Sequence, residues 1–294
     1  MLIKALSPGN WHDYELIDCG NFEKLERFGK YILIRPEPQA IWPKTEPEQF
    51  WQDRHHIKYI AQGHNTGKWV KKSSDIADNW TINYANKIVN IKIKLALTSF
   101  KHVGCFPEQA CNWDYLTTTI PKIQNHNPKI LNLFAYTGVA SIVASKLKTE
   151  VWHVDAVKQV NNWAKENEKL SQANNIHWVQ EDVIKYLKRC VKRQVKFNGV
   201  IMDPPAYGIG PNKERWKLNE NIQELVALVS QVLDKEYFII LNCYALGMSA
   251  LSIHNLLASN IDKQDKLEIG ELFLPDIKNC NMLPLGVYGR ISNI

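Results

Sequence analysis

The chain has 294 residues, 45% hydrophobic and 22% charged, with a formal net charge of +6. That length exceeds a typical single core and predicts two domains, or one large domain with an extension. The composition is that of an ordinary globular protein, and the mild basicity permits an anionic partner such as nucleic acid without requiring one. No apolar run is long enough to cross a bilayer. Residues 1–20 mix His12, Asp13, Glu15 and Asp18 among apolar residues, unlike a secretory leader. A cytoplasmic protein with no membrane association is therefore expected. The six cysteines, at 19, 105, 111, 190, 243 and 280, form no C-x-x-C pair and no Cys/His zinc spacing. Free thiols and no bound metal follow as expectations; monomer and homodimer both stay open.

The chain changes character near residue 120, and the expected domains are 1–118 and 119–294. The first part reads as β-rich. Lys30–Arg35 is a strand candidate, and Pro36, Pro38, Pro43 and Pro47 force an extended or turning segment. Trp80, Ile82 and Tyr84 alternate with polar residues. After a turn at Asn86–Lys87, Val89, Ile91, Ile93, Leu95 and Leu97 do the same. Period two with one polar face predicts a hairpin. The aromatic content of this module serves either its own core or the stacking of nucleobases during substrate recognition.

From Lys129 the pattern becomes strand–helix alternation. Strands are expected at Lys129–Phe134, Glu150–Val154, Ile176–Gln180, Val200–Met202 and Tyr237–Leu241. Helices are expected at Val139–Leu147, Val157–Ser171, Val183–Arg193, Asn219–Leu233 and Ser249–Ser259. Two final strands, Leu267–Leu274 and Val287–Ile291, lack a helix between them and should pair antiparallel at an edge. The sum is an α/β fold with a doubly wound sheet.

Such sheets bind ligands beyond the carboxyl ends of their strands. After the first strand comes the turn Asn132–Gly138, with a single glycine and no G-x-G-x-x-G, so a pyrophosphate cradle is poorly supported. The missing glycines also oppose a nicotinamide dehydrogenase. Asp155 ends the second strand, where a carboxylate can accept both hydroxyls of a ribose. Asp182, after the third, either accepts from an adenine amino group or caps the next helix. After the fourth comes Asp203-Pro204-Pro205-Ala206-Tyr207, a rigid turn that would hold Asp203 and backbone carbonyls against a flat substrate, with Tyr207 nearby for stacking. After the fifth comes Asn242-Cys243-Tyr244, where Cys243 is either a nucleophile or a buried structural thiol.

The segments Leu131–Gly138, Val154-Asp155, Glu181-Asp182 and Asp203–Tyr207, with Gly104–Asn112 upstream, resemble the S-adenosylmethionine (SAM) dependent methyltransferases related to bacterial 23S ribosomal RNA (cytosine-C5 and guanine-N2) methyltransferases. The resemblance covers about residues 88–294. It implies a class I, Rossmann-like methyltransferase with a seven-stranded doubly wound sheet, preceded by a small β-rich N-terminal domain. It implies a SAM site lined by Gln109, Asn132, Phe134, Ala135, Tyr136, Thr137, Gly138, Asp155, Ala156, Asp182 and Val183. Asp203 and Cys243 are the catalytic candidates, and Pro204, Pro205, Tyr207, Arg215 and Trp216 the substrate-binding ones. Cytosine-C5 members carry their cysteine within Ser-Cys-Ser, whereas Asn242 and Tyr244 flank it here, and residues 1–80 match no RNA-binding module of the family.

Two mechanisms are open. A Cys243 thiolate would add to C6 of a cytosine; alternatively, Asp203 and the Pro-Pro turn would orient an exocyclic amine. RNA, ribosomal by the resemblance, is the expected partner. A small molecule or protein acceptor, and a non-catalytic SAM- or RNA-binding module, are the alternatives. Lys185, Lys188, Arg189, Lys192, Arg193 and Lys196 form a basic helical stripe, most simply a solvated face. The loop Gly208–Leu218, with Lys213, Arg215, Trp216 and Lys217, is the better candidate for touching substrate.

Overall fold

The computed structural model describes residues 2–63, 66–210, 214–244, 247–262, 265–278 and 280–294. In chain order the elements are β1 (Ile3–Leu6), β2 (Tyr14–Gly20), β3 (Glu23–Phe28), β4 (Tyr31–Pro36), α1 (Glu48–Arg54), β5 (Ile57–Ala61), β6 (Gly67–Lys71), β7 (Asn79–Ala85), β8 (Asn90–Ala96) and α2 (Ala110–Thr119). The alternating part follows: β9 (Lys129–Leu133), α3 (Val139–Lys146), β10 (Glu150–Val154), α4 (Lys158–Leu170), β11 (Ile176–Val179), α5 (Val183–Lys192) and β12 (Phe197–Met202). Then come β13 (Tyr207–Ile209), β14 (Arg215–Lys217), α6 (Leu218–Ser230), β15 (Leu233–Cys243), α7 (Ala250–Ala258), β16 (Lys266–Pro275) and β17 (Met282–Ser292).

Two compact units result. One comprises Ser7–Ala110 and Phe273–Leu285, the other Met1–Leu6, Cys111–Leu272 and Gly286–Ile294. The first is β-rich, with a sheet ordered β2-β3-β4-β5-β6 and a separate β7-β8 hairpin. In β7 the burial alternates strictly, with Trp80, Ile82 and Tyr84 inward, as its period of two predicts. Trp11, Trp51 and Trp80 are buried in this unit's interior, and Trp42 and Trp69 are half-buried. Trp51 is fully buried and its indole donates to Asp18 (2.8 Å), while Trp80 donates to the Phe28 carbonyl (3.0 Å). An indole whose N–H is spent inside the core is a packing element rather than a stacking platform.

The second unit carries an eight-stranded sheet in the order β1-β16-β17-β15-β12-β9-β10-β11. The parallel strands β9, β10, β12 and β15 are apolar on both faces because helices cover both; every residue of β12 is buried. β17 is antiparallel to β15, and it neighbours β16 through a connection too short for a crossover. Two features depart from the sequence pattern. β1 pairs in parallel with β16, so the sheet gains an eighth strand and β16 is not an edge. The units also divide at Ala110 rather than after residue 118. Within the second unit, Arg290 on β17, 6% exposed, donates to the Cys111 carbonyl (2.9 Å) and Asn112 Oδ1 (2.8 Å) and lies over the rings of Tyr115 (4.6 Å) and Tyr288 (4.9 Å). That clamp ties α2 to the sheet.

Among the described residues no helix is long and apolar enough to cross a membrane, and no group of three or more His, Cys, Asp or Glu side chains is arranged to hold a metal ion. Replacing Arg290 by Met keeps the packing volume but removes its hydrogen bonds to the Cys111 carbonyl and Asn112 Oδ1 and its ion pair with Glu268. It should cost about 2–4 kcal/mol, read as a lowered midpoint in urea denaturation.

Candidate active site

Register brings the functional positions level. Leu133 pairs with Val154 and with Met202, Met202 pairs with Leu241, and Val154 pairs with Val179. The next residue of each strand, Phe134, Asp155, Asp203, Asn242 and Gln180, therefore lies in one row at the carboxyl edge. β9 sits between β10 and β12, where the strand order reverses. This is the crevice in which open α/β sheets hold ligands.

The β9–α3 turn is a strained, tightly braced loop. Phe134, Tyr136 and Gly138 all have left-handed backbones, with φ of 55°, 50° and 81°. Two of the three are not glycine, and each costs on the order of 1 kcal/mol or more. The turn persists because its surroundings over-determine it. Asp155 accepts from the Tyr136 N–H (2.9 Å) and the Val157 N–H (2.9 Å), and Asn167 on α4 donates to the Thr137 carbonyl (2.9 Å). Beneath it, Asn132 Nδ2 donates to Ser141 Oγ (2.8 Å), which lies 3.0 Å from His153 Nδ1. With its oxygen accepting from Asn132, the Ser141 hydroxyl donates to Nδ1, and the ring hydrogen goes to Nε2. Burial pushes His153 down to about 3, so the ring is neutral. Asn161, which also interacts with this ring, donates to the Asp155 carbonyl (2.9 Å). One polar chain thus links β9, α3, β10 and α4 under the turn. Gly138 is required for space as well as for φ: a Cβ there would lie 2.9 Å from the Ala164 Cβ.

The other expected SAM-site positions are mixed. The Asp155 carboxylate has each oxygen engaged once by backbone, which leaves lone pairs for ribose hydroxyls. Burial raises its pKa. Asp182 caps α5, accepting from the Lys185 N–H (3.0 Å), so the capping alternative is realised at one oxygen. Ala135 and Val183 are buried; Val183 belongs to the hydrophobic core. Ala156 is half-buried beside Asp155. Gln109 belongs to the β-rich unit, in the 3-10 turn Pro107–Gln109. Three of the six cations of the basic stripe are matched by carboxylates. Lys185 pairs with Glu214, Lys188 with Glu224 (2.7 Å) and Arg189 with Glu181 (2.6 Å). That is a solvated face of ordinary character.

At the end of β12, Asp203 accepts a hydrogen bond from Asn242 Nδ2 (2.9 Å). Burial raises its pKa to about 6, and the Asn242 hydrogen bond opposes the rise. The neighbouring thiol is elsewhere. Strand alternation puts Cys243 on the same face as Ile239 and Leu241, inside the hydrophobic core, with zero exposure. Burial, with Asp203 adding to it, pushes this thiol well above the ordinary range. A nucleophilic cysteine needs access and a lowered pKa, and Cys243 has neither. Of the two readings of Cys243, this burial fits the structural thiol, and Asn242 is the residue of β15 that reaches Asp203.

The loop after Asp-Pro-Pro is a hairpin, β13 against β14, with Lys213 outside the described residues. Tyr207 pairs with Lys217, Gly208 with Trp216 and Ile209 with Arg215. Tyr207 and Ile209 are 53% and 59% exposed, and Arg215 and Lys217 share their face. Trp216 points the opposite way. It is 6% exposed, packs on Phe134 at 4.8 Å and donates to the Pro205 carbonyl (2.6 Å). Trp216 thus lies between the Pro-Pro turn and the β9–α3 turn rather than on the exposed face of the hairpin. Pro204 is buried in that turn and Pro205 exposed.

Two variants separate these roles. Gly138→Ala forces an L-residue into a left-handed, occupied position; it should lower SAM affinity at least about tenfold in calorimetry, with a stability cost of about 1–3 kcal/mol. Cys243→Ala should leave single-turnover methyl transfer unimpaired while costing about 1 kcal/mol of stability for the small cavity.

The same architecture recurs in known proteins. No family model matches the chain. It is 30% identical to the ribosomal RNA large subunit methyltransferase K/L of Shewanella amazonensis over 199 residues, 64% of this chain and 26% of that protein. It is 26% identical to the protein of the same name from Pseudoalteromonas atlantica over 295 residues, 94% of this chain and 39% of that protein. The chain thus spans about a quarter to two fifths of the length of these relatives. The crystal structure of the SAM-dependent methyltransferase from Agrobacterium tumefaciens matches with a TM-score of 0.92 and 30% identity, over 100% of this chain and 95% of that one. At that identity and coverage, this chain belongs to the SAM-dependent methyltransferases.

Proposed function

We propose that this methyltransferase modifies an RNA base at an exocyclic amino nitrogen. The observation that carries the reading is the Asp203–Asn242 pair at the crevice, beside a cysteine that faces the core. The ribosomal RNA relatives support RNA as the acceptor. The exposed Tyr207, Ile209, Arg215 and Lys217 face supports it from the chemistry. Aromatic and apolar surface stacks on a base while cations meet phosphates. A base within a duplex is out of reach, so the target is a loop or flipped nucleotide. The β-rich unit would contribute to recognition, and ribosomal RNA sets the site of action in the cytoplasm.

SAM supplies an electrophilic methyl group on its sulfonium. Asp155 would accept from the ribose hydroxyls, Asp182 from the adenine amine, and the Asn132–Gly138 turn would surround the methionine part. The rigid Asp203-Pro204-Pro205 turn would hold the acceptor nitrogen in place, and positioning is the larger part of what an in-line displacement needs. Asp203 in its ionised form accepts an amine hydrogen and takes the proton that the alkylated nitrogen sheds.

The sign of the pH dependence follows. The reactive form is the carboxylate, so kcat/KM should fall as pH drops through about 6, by about tenfold for each further unit. Asp203→Asn should reduce kcat by on the order of a hundredfold or more while SAM binding persists. Arg215→Ala combined with Lys217→Ala should weaken RNA binding and reduce the slope of log K against log salt by roughly 1 for each phosphate no longer neutralised. Mass spectrometry of modified nucleosides in ribosomal RNA, from cells with and without the gene, tests the substrate directly. A missing N-methylated nucleoside is expected, and identical profiles would overturn the RNA reading.

A further inference from the structure

Asn242 is 2% exposed on β15, yet only half of its amide is used. The Asp203 carboxylate can only accept, so the group facing it at 2.9 Å is the Nδ2 donor. The orientation of the amide is therefore determined, and Oδ1 is left over. Among the described residues this oxygen has no hydrogen-bond partner. A buried amide oxygen without a partner costs on the order of 1–3 kcal/mol, which a ligand that donates to it would recover. Gly286 on β17 lies against Oδ1 without a side chain. A Cβ at that position would lie 3.2 Å from Oδ1, and the backbone there has a φ of 149°. Nothing in the SAM-site geometry calls on this oxygen.

We propose that Asn242 is a positioning residue of the transfer site: its Nδ2 holds the Asp203 carboxylate in place, and its Oδ1 accepts the second hydrogen of the substrate's amino group. The inference rests on the reading of Asp203 as the group facing that amine. An amino nitrogen with both hydrogens held by two fixed acceptors keeps its lone pair in the one remaining direction. Alignment of that lone pair with the methyl group is what the reaction requires. The site so built favours a primary amine, whose two hydrogens match the two acceptors, over a once-methylated amine, which has only one.

The test uses the full chain, tritiated SAM and total ribosomal RNA from cells lacking the gene. Asn242→Leu, of similar volume, should lower kcat at least about tenfold with SAM affinity within about twofold of the original. It should also move the acid limb of kcat/KM to higher pH, because the Asn242 hydrogen bond that opposes the rise in the Asp203 pKa is removed. A merely structural residue does not move that limb. Asn242→Ser, which keeps a small polar group on the buried strand, supplies the same readouts if the leucine variant does not fold. Asp203→Asn is run beside them. If Asp203→Asn is inactive while the Asn242 variants keep the original kcat and an unmoved acid limb, Asn242 has no such role and the amine reading stands. If their activity falls only in proportion to weakened SAM binding and a smaller folded fraction, with the limb unmoved, the inference fails as well. If Asp203→Asn remains active, the reading of Asp203 fails and takes this inference with it.

Discussion

The level register of the parallel strands is the constraint on which the site depends. Leu133, Val154, Met202 and Leu241 occupy one row in the hydrophobic core, and this row makes the strands end together. The polar residues that follow have nowhere to go but the crevice. A slip of one residue would exchange faces along a whole strand, turning Cys243 toward the crevice and Asn242 into the core. The hydrophobic packing that prevents this slip also chooses which side chain of β15 reaches Asp203.

The second dependence is polar. The β9–α3 turn holds two non-glycine residues in left-handed conformations, and local sequence preferences do not favour that. Its support comes from Asp155, Asn167 and the polar chain through Asn132, Ser141, His153 and Asn161. His153 works here as a neutral, fully buried ring that accepts from Ser141 at Nδ1, not as a titrating group. Strain at the cofactor turn is thus tolerated because four elements share its support. This is the usual arrangement where a loop must be preorganised.

Asp203 and Trp216 show how the transfer turn is made rigid. The two prolines restrict the backbone, and the Trp216 indole closes the turn from behind by donating to the Pro205 carbonyl. Because β13 and β14 alternate, burying Trp216 is what turns Tyr207, Ile209, Arg215 and Lys217 outward. The brace and the exposed cationic face are two sides of one hairpin.

Much of this was legible in residue order. Alternation of strands and helices from Lys129 onward, the position of Asp155 after its strand and the Asp-Pro-Pro turn identify the fold and the cofactor end of the sheet, because each is a local pattern with a local cause. The β7-β8 hairpin was legible for the same reason. The period of two along Ile239, Leu241 and Cys243 already held the signal that this thiol is a core residue. What tertiary structure alone decided is long-range. β1 joins the far edge of the sheet, and Arg290 ties α2 to that sheet. Trp216 turns inward onto Phe134. Asn242 reaches Asp203, 39 residues away in sequence. Each of these depends on which strand lies beside which, and pairing across such separations is set by the packed sheet rather than by any window of the chain.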